Sequence, residues 1–284
     1  MNILVTGSSG YIGRNFIRTF TNKYAFVKFS LLNNSLNELK INDVDIVLHC
    51  AALVHQKQEH DYRNYHKTNV EYPVALAEKA KRNGVKHFIF ISTIAVYGED
   101  KIYINENSGC RPVTPYGKSK LEAERQLVAL EDEAFVVSIV RPPMVYGDKA
   151  PGNIASLTKL IKQVSVLPFG KIDNKRSFVY IGNLIYLIDK VIEKKESGIF
   201  LSSDDKPLST TQLIEYIADA LDKKIHLVKV PFFEGFLKLL KPSFHQRLFG
   251  SLEVDNSHTK KVLGLKNPYS TEEGIKLMIK GGKK

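Results

Sequence analysis

Two cysteines in 284 residues, Cys50 and Cys110, are too few and too scattered for a disulfide framework or a ligand set. Cys50 sits in an apolar run, so both are read as free thiols of a reducing compartment, and no metal site is expected. No apolar run reaches the ~18 residues that a membrane span needs. The N-terminus enters an apolar strand at once, with no basic leader and no small-residue cleavage site, so a cytoplasmic protein is expected. Internal repeats and low-complexity tracts are absent, and with them any solenoid or array architecture. Nor is there a basic stripe interleaved with stacking aromatics, so no nucleic-acid partner is expected. The net charge of +11 comes from lysines spread along the chain, with one short cluster at Lys280, Lys283 and Lys284. A solvated lysine-rich surface with no specific role is the expectation, and attraction of anionic substrates or of an acidic membrane surface the alternative.

What is present belongs to a globular chain. Hydrophobic residues make up 43% and charged residues 25%, and the length suits one large domain or two smaller ones with a substantial core. Residues 2–6 read as a buried strand that runs straight into Gly7-Ser8-Ser9-Gly10-Tyr11-Ile12-Gly13 and a helix over about 12–22. A glycine-rich turn between strand and helix lets the backbone approach a pyrophosphate at the helix N-terminus. The spacing is GxxGxxG, and no Lys-Ser/Thr follows, which excludes a P-loop.

A second strand fits 25–31. An NAD-binding unit usually ends this strand with an acid that holds the ribose hydroxyls. Here the end carries neither an acid nor an arginine for a 2′-phosphate; Ser30 and Asn33 are the substitutes available. The next strand, Asp45 to Cys50, follows after a short linker, so the second crossover is abbreviated. A helix over 61–83, a strand over 86–92, a helix over 118–132 and a strand over 135–141 continue the alternation. Strands alternating with helices predict a Rossmann-like, doubly wound parallel α/β sheet, whose ligands bind at the carboxyl ends of the strands. The Gly7–Gly13 turn, Ala51-Ala52, Ser92-Thr93 and Pro142-Pro143 all fall at such ends.

Within the helix over 118–132 and just before it stands Tyr116-Gly117-Lys118-Ser119-Lys120. Tyrosine and lysine four apart share one helix face. A phenol has a reference pKa of about 10 and is a poor base near neutrality, but an adjacent ammonium favours the phenolate. Tyr116 could then move a proton to or from a hydroxyl, with Thr93 hydrogen-bonded to the same oxygen. An ordinary surface pair has the same spacing, so the motif carries weight through its company.

The remainder is mixed. A helix is expected over 153–163, a strand over 176–181, and a return to the sheet through a helix over 183–194 and a strand over 198–202. Ser209-Thr210-Thr211-Gln212 opens a helix to about 222 with hydroxyls suited to capping. Residues 232–249 are apolar with basic punctuation, broken by Pro242. Packing on the chain's own body or on a second subunit is the expectation there, and a membrane-surface helix the alternative. The division expected is 1–147 with 177–202 as the dinucleotide-binding part, and 148–176 with 203–284 as a smaller, mixed α/β substrate-binding part.

Together, Gly7-x-x-Gly10-x-x-Gly13, Ser92-Thr93-Ile94-Ala95-Val96-Tyr97-Gly98 and Tyr116-x-x-x-Lys120 resemble the extended short-chain dehydrogenase/reductases of the nucleotide-sugar epimerase/dehydratase group. The likeness continues through Arg141-Pro142-Pro143-Met144-Val145-Tyr146-Gly147, Arg176 to Ile181 and Leu263 to Gly274, so it spans essentially the whole chain. It implies an NAD cofactor, with NADP possible, and a UDP-sugar substrate processed at C4 in polysaccharide or O-antigen synthesis. By resemblance, Tyr116 is the acid/base, Lys120 its partner on the nicotinamide ribose, and Thr93 the hydroxyl that orients the substrate. Gly7, Ser9, Gly10, Tyr11, Ile12 and Gly13, with Ala51, Ala52, Ser92, Pro142 and Pro143, would line the cofactor. Arg176 matches a diphosphate-binding arginine, Phe169 lies where the family encloses the uracil, and Asn153 is a further diphosphate donor. A homodimer built on helices 61–83 and 118–132 is implied as well. Two branches share these residues: 4-epimerases, and one-way reductases of UDP-4-keto-6-deoxy-N-acetylhexosamines. A non-catalytic dinucleotide sensor or scaffold on the same fold is a third reading, though it has no use for a proton-transferring phenol. Met144 and Gly182-Asn183 depart from the galactose epimerase pattern, and Ile94-Ala95 replaces the Asp-Glu pair of the dehydratases.

Overall fold

A computed structural model describes residues 1–30, 35–54 and 62–281. Asn33, one of the two residues offered in place of the ribose acid, lies outside them. Six parallel strands form the central sheet: β1 (Asn2–Thr6), β2 (Ala25–Phe29), β3 (Ile46–His49), β4 (His87–Ile91), β6 (Val136–Arg141) and β10 (Gly198–Leu201). Their order is β10-β6-β4-β3-β1-β2. Three short parallel pairs lie outside the sheet: β5 (Tyr103–Ile104) with β12 (Glu253–Val254), β7 (Met144–Tyr146) with β9 (Phe178–Tyr180), and β8 (Val166–Leu167) with β11 (His226–Leu227).

The order explains the short crossover. β3 pairs with β1 on the side away from β2, and no strand follows β2 outward among the described residues. The chain therefore reverses its winding direction between β1 and β3. A doubly wound sheet opens a crevice at such a reversal, at the carboxyl ends of the two strands.

Both faces of the sheet are covered, which is why its strands read as continuous apolar runs. Ile3, Val5, Ile46, Leu48, Ile89 and Ile91 point to one face, against α1 (Tyr11–Phe20) and α6 (Ile181–Lys194). Leu4, Val47, Phe88 and Phe90 point to the other, against α3 (Tyr72–Arg82) and α4 (Pro115–Val128). The helix expected over 61–83 runs unbroken from Tyr62 to Arg82 as α2 (Tyr62–His66), a π-helical turn over Lys67–Glu71, and α3. Pro73 accounts for the π turn, because it has no N–H to donate back to the carbonyl of Asn69.

A second core gathers α5 (Asn153–Gln163), α7 (Thr210–Ala220) and α11 (Thr271–Lys280) around Phe169, Phe178 and Ile217. α10 (Ser257–Leu263) is an exception to the expected division, since Leu263 and Leu265 belong to the core under the sheet. The stretch 232–249 forms two helices that meet at Pro242, α8 (Phe233–Leu240) and α9 (Pro242–Phe249). Phe233, Leu248 and Phe249 pack against the second core and Leu237 is buried, while the other apolar residues of the stretch face outward.

Two histidines are sealed into the sheet. Burial pushes His49 down to about 3 and His87 down to about 4. Both stay neutral in the folded state while the unfolded chain takes up protons below about 6.5. Their contribution to stability is therefore complete above that pH and is lost on acidification, on the order of 2 kcal/mol each by pH 4.5. Urea unfolding midpoints should fall between pH 7 and 4.5, and less steeply in His87→Asn. Equal slopes for the two proteins would show that His87 is solvated.

Candidate active site

The crevice at the winding reversal is built from glycines that admit no side chain. Gly7 has φ +65°, and a Cβ there would lie 2.7 Å from the amide nitrogen of Ala51. A Cβ on Gly13 would lie 2.5 Å from the carbonyl oxygen of Gly7. Bare backbone therefore lets the β1–α1 turn lie directly on Cys50-Ala51, with the amides of the α1 N-terminus at the mouth of the crevice. Ser9, Gly10 and Ile12 belong to this turn and its helix start, as expected. Tyr11 does not turn toward it. Its hydroxyl is buried against Gly147, where a Cβ would come within 2.5 Å of it.

Thr93 follows β4 and caps a 3₁₀ turn over Ile94–Tyr97, its Oγ1 accepting from the amide of Ala95 at 3.2 Å. Thr114 caps α4 in the same way, accepting from Gly117 at 3.0 Å. A Cβ on Gly117 would lie 2.7 Å from the carbonyl oxygen of Ala95. Glycine there lets the first turn of α4 press onto the turn after Thr93, and the side chains of Thr93 and Tyr116 hydrogen-bond. Burial pushes the Tyr116 phenol up to about 12, and the Thr93 hydrogen bond works in the opposite direction.

Lys120 differs from the expectation. It is fully buried, with Nζ 3.6 Å from the centre of the Phe90 ring and no hydrogen-bond partner among the described residues. Burial pushes it down to about 7, opposed by the carboxylate of Glu124 one turn further on. Thr93, and not the ammonium, is the group that lowers the Tyr116 phenol. A buried ammonium facing a ring has three donors to place and strongly favours an acceptor. The Oγ of Ser92, at the end of β4, is likewise buried without a partner. These unmet groups beside the glycine turn fit a dinucleotide whose ribose hydroxyls enter the crevice.

Several residues that hold the site escaped the sequence reading. Asn69, in the π-helical turn, accepts from Leu53 N at 2.8 Å and donates to Leu53 O and to Ser119 Oγ, both at 3.0 Å. It ties the end of β3 to α4, and its only signal was a proline four residues on. Arg141 binds Glu124 through Nε at 3.1 Å and Nη2 at 2.5 Å, and Tyr97 through Nη1 at 2.7 Å. All three are buried, so the end of β6, the Thr93 turn and α4 are clamped together. Pro142 and Pro143 are buried just beyond, with Pro142 O accepting from Ile94 N at 3.1 Å.

On the far side, Arg176 is half-buried, and its Nη1 donates to Gln246 O at 3.2 Å and Gly250 O at 3.1 Å. Among the described residues no carboxylate pairs with it, which leaves its charge for an anion. Phe169 is only 6% exposed and packs its ring on Phe233 at 6.0 Å. It is a core residue with little open face, able to wall a base rather than stack on it. Asn153 is exposed at the first position of α5. Asn183, noted as a departure, is structural: it donates to Asp204 and to Tyr269 O and accepts from Tyr269 N. Asp204 supplies the buried acid at this place, accepting also from the Tyr146 hydroxyl at 2.6 Å. Both cysteines are free thiols, and burial pushes Cys50 up to about 12.

Residues 3–200 match the model of the NAD dependent epimerase/dehydratase family. The chain belongs to that family. A protein of Vibrio cholerae named UDP-glucose 4-epimerase is 38% identical, over 97% of this chain and 93% of that one. A protein of Escherichia coli O157:H7 named N-acetyl-alpha-D-glucosaminyl-diphospho-ditrans,octacis-undecaprenol 4-epimerase is 28% identical, over 83% and 77%. Among solved structures, a UDP-glucuronic acid 4-epimerase from Bacillus cereus in complex with NAD superposes with a TM-score of 0.79 at 20% identity, covering 99% of this chain and 96% of that one. The last likeness is one of fold. The six-stranded parallel sheet is thus the nucleotide-sugar epimerase architecture that the motifs implied.

The state of Lys120 has a measurable consequence. Between pH 7 and 10.5 the unfolded chain holds a proton on this lysine that the folded chain has lost, so its cost to stability shrinks as pH rises. Lys120→Met should stabilise the nucleotide-free protein at neutral pH, on the order of a few kcal/mol, and remove the rise toward pH 10. Urea unfolding at several pH values measures both, and an unchanged slope would mean that Lys120 is already paired.

Proposed function

We propose that the chain is a 4-epimerase of a UDP-hexose or UDP-N-acetylhexosamine, working through a 4-keto sugar. The observation that carries this is the Thr93–Tyr116 hydroxyl pair held beside the unpaired, buried Lys120 at the glycine crevice. The name of the Vibrio cholerae relative, at 38% identity over nearly the full length, supports the same substrate class.

Gly7, Gly10, Gly13 and Ala51 would hold an NAD in the crevice, where it would supply a hydride acceptor and donor for C4. The chain's own groups do the rest. Lys120 meets the ribose hydroxyls with its orphaned donors and, once charged there, brings positive charge toward the Tyr116 phenol. Tyr116 Oη takes the proton of the sugar 4-hydroxyl and later gives it back, while Thr93 Oγ1 shares the same hydrogen bond. Arg176 holds the diphosphate, whose binding energy positions C4 without taking part in the chemistry. Asn153 adds a donor at a helix N-terminus, and Phe169 walls the uracil pocket.

One-way reduction of a UDP-4-keto-6-deoxy-N-acetylhexosamine needs the same residues, so the cofactor's behaviour separates the two. An epimerase keeps its cofactor through the cycle. Acid release from the purified protein should therefore yield near-stoichiometric NAD, and incubation with UDP-glucose or UDP-N-acetylglucosamine should yield the 4-epimer by NMR. An empty protein that turns over neither sugar would overturn epimerisation in favour of the reductase. Tyr116→Phe should lower turnover about a thousandfold or more with the fold intact by circular dichroism. Activity within about tenfold of wild type would remove Tyr116 from the acid/base role. Arg176→Ala should weaken UDP binding about tenfold or more, read by calorimetry, because a charge-assisted contact to phosphate is lost. Unchanged affinity for UDP would place the diphosphate elsewhere.

A further inference from the structure

The stretch 228–244 exposes large apolar side chains at an unusual density. Phe232 is 92% exposed, Leu239 80% and Phe236 61%, with Leu240, Phe244, Val228 and Val230 also open. Phe232 stands at φ +61°, a left-handed conformation uncommon for an aromatic residue. Monomeric soluble proteins rarely show so many contiguous exposed aromatics and leucines without a partner for them. The inner residues of the same helices, Phe233, Leu237, Leu248 and Phe249, are the ones that pack inward. The outer face is therefore surplus to the core.

Charge identifies the partner. Between Asp222 and Glu253 the chain carries six lysines and arginines and one acid, Glu234. That acid lies beside His245, and Lys229, Lys238, Lys241 and Arg247 are exposed around the apolar face. Pairing with a second copy of this surface would set these cations against each other, with one acid per chain to offset them. An anionic bilayer accepts both features at once: aromatic and leucine side chains enter the headgroup boundary while the lysines stay among the phosphates. We propose that α8 and α9 form a docking surface for an anionic membrane leaflet. The two helices are anchored on the substrate side, through Phe233 against Phe169 and through Gln246 O and Gly250 O on Arg176. Docking there keeps the protein at the surface by a face that contains none of the proton-transfer groups, and it stands independently of the reaction proposed above.

The test is co-sedimentation of the full chain with vesicles of phosphatidylglycerol and phosphatidylcholine, against vesicles of phosphatidylcholine alone. Binding to the anionic vesicles is expected, weakened by salt and by omission of phosphatidylglycerol. The variant Phe236→Glu with Leu239→Glu should bind about tenfold more weakly or worse, while its turnover of a soluble UDP-sugar is unchanged. Wild-type protein that stays in solution with anionic vesicles would overturn the proposal, as would a variant that binds as well as wild type. A wild-type dimer that the same variant converts to monomer would overturn it too, by assigning the face to a second copy. Loss of sugar turnover in wild type alone would bear on the reaction and leave the docking result readable.

Discussion

Placing an ammonium in a sealed core without an acceptor is among the most costly arrangements a folded chain can hold. Lys120 is in that position, and the surroundings reduce the cost in three ways. The Phe90 ring lies under Nζ and offers its negative face. Glu124, one turn along α4, provides a carboxylate whose field favours the charged form. Loss of the proton near pH 7 removes the remainder, because a neutral amine is far cheaper to bury. A nearby His49 held neutral adds no opposing charge. The arrangement makes sense as one half of a binding site, since a ligand with hydroxyl acceptors would give Lys120 Nζ a hydrogen-bond partner.

The same Glu124 is engaged elsewhere, and that second engagement fixes the geometry of the Thr93–Tyr116 pair. Its two oxygens are taken by Arg141, which also binds Tyr97 in the turn that begins at Thr93. α4 cannot slide along the sheet without breaking a buried, bidentate ion pair, which would leave a charge uncompensated. Gly117 pressed on Ala95 and Asn69 bound to Ser119 restrain the helix from two further sides. The Tyr116–Thr93 contact is thus held by groups that touch no substrate. Positioning of that accuracy is what the proton transfer proposed for Tyr116 would require.

These dependencies also explain what could be read from the chain and what could not. The glycine turn, the small residues after each strand and the Tyr116-Lys120 spacing are local signals, set by backbone sterics and helix periodicity, and they located the crevice. Lys120 as a helper of the phenol follows from helix spacing and from the family resemblance, whereas the surroundings of its ammonium follow from neither. Its ammonium in fact faces Phe90, thirty residues away in sequence, and no periodicity encodes that choice. Asn69 was hidden because a single helix leaves it on a neutral face, whereas the π-helical turn set by Pro73 swings it onto Leu53 and Ser119. The strand order was out of reach for a similar reason: a short crossover after β2 does not say whether β3 lies beside β2 or on the free side of β1. Asp204 escaped notice because it reaches Tyr146 and Asn183 from a distant loop.

The two proposals for Arg176 and for the outer face of α8 and α9 draw on one surplus of positive charge at two scales. At short range Arg176 has carbonyl acceptors and, among the described residues, no carboxylate, so its charge is oriented without being cancelled. Burial and the nearby Arg247 both work against that charge, which raises the value of an incoming anion. At longer range the lysines around Leu239 and Phe244 extend the same positive field over an apolar surface that the core does not use. A diphosphate and an anionic headgroup are recognised by the same physics, charge held near low-dielectric surface with few competing acids. The +11 excess is therefore uneven both in sequence and in its consequences. It matters most where carboxylates are missing, and the segment between Asp222 and Glu253 is where the chain has almost none.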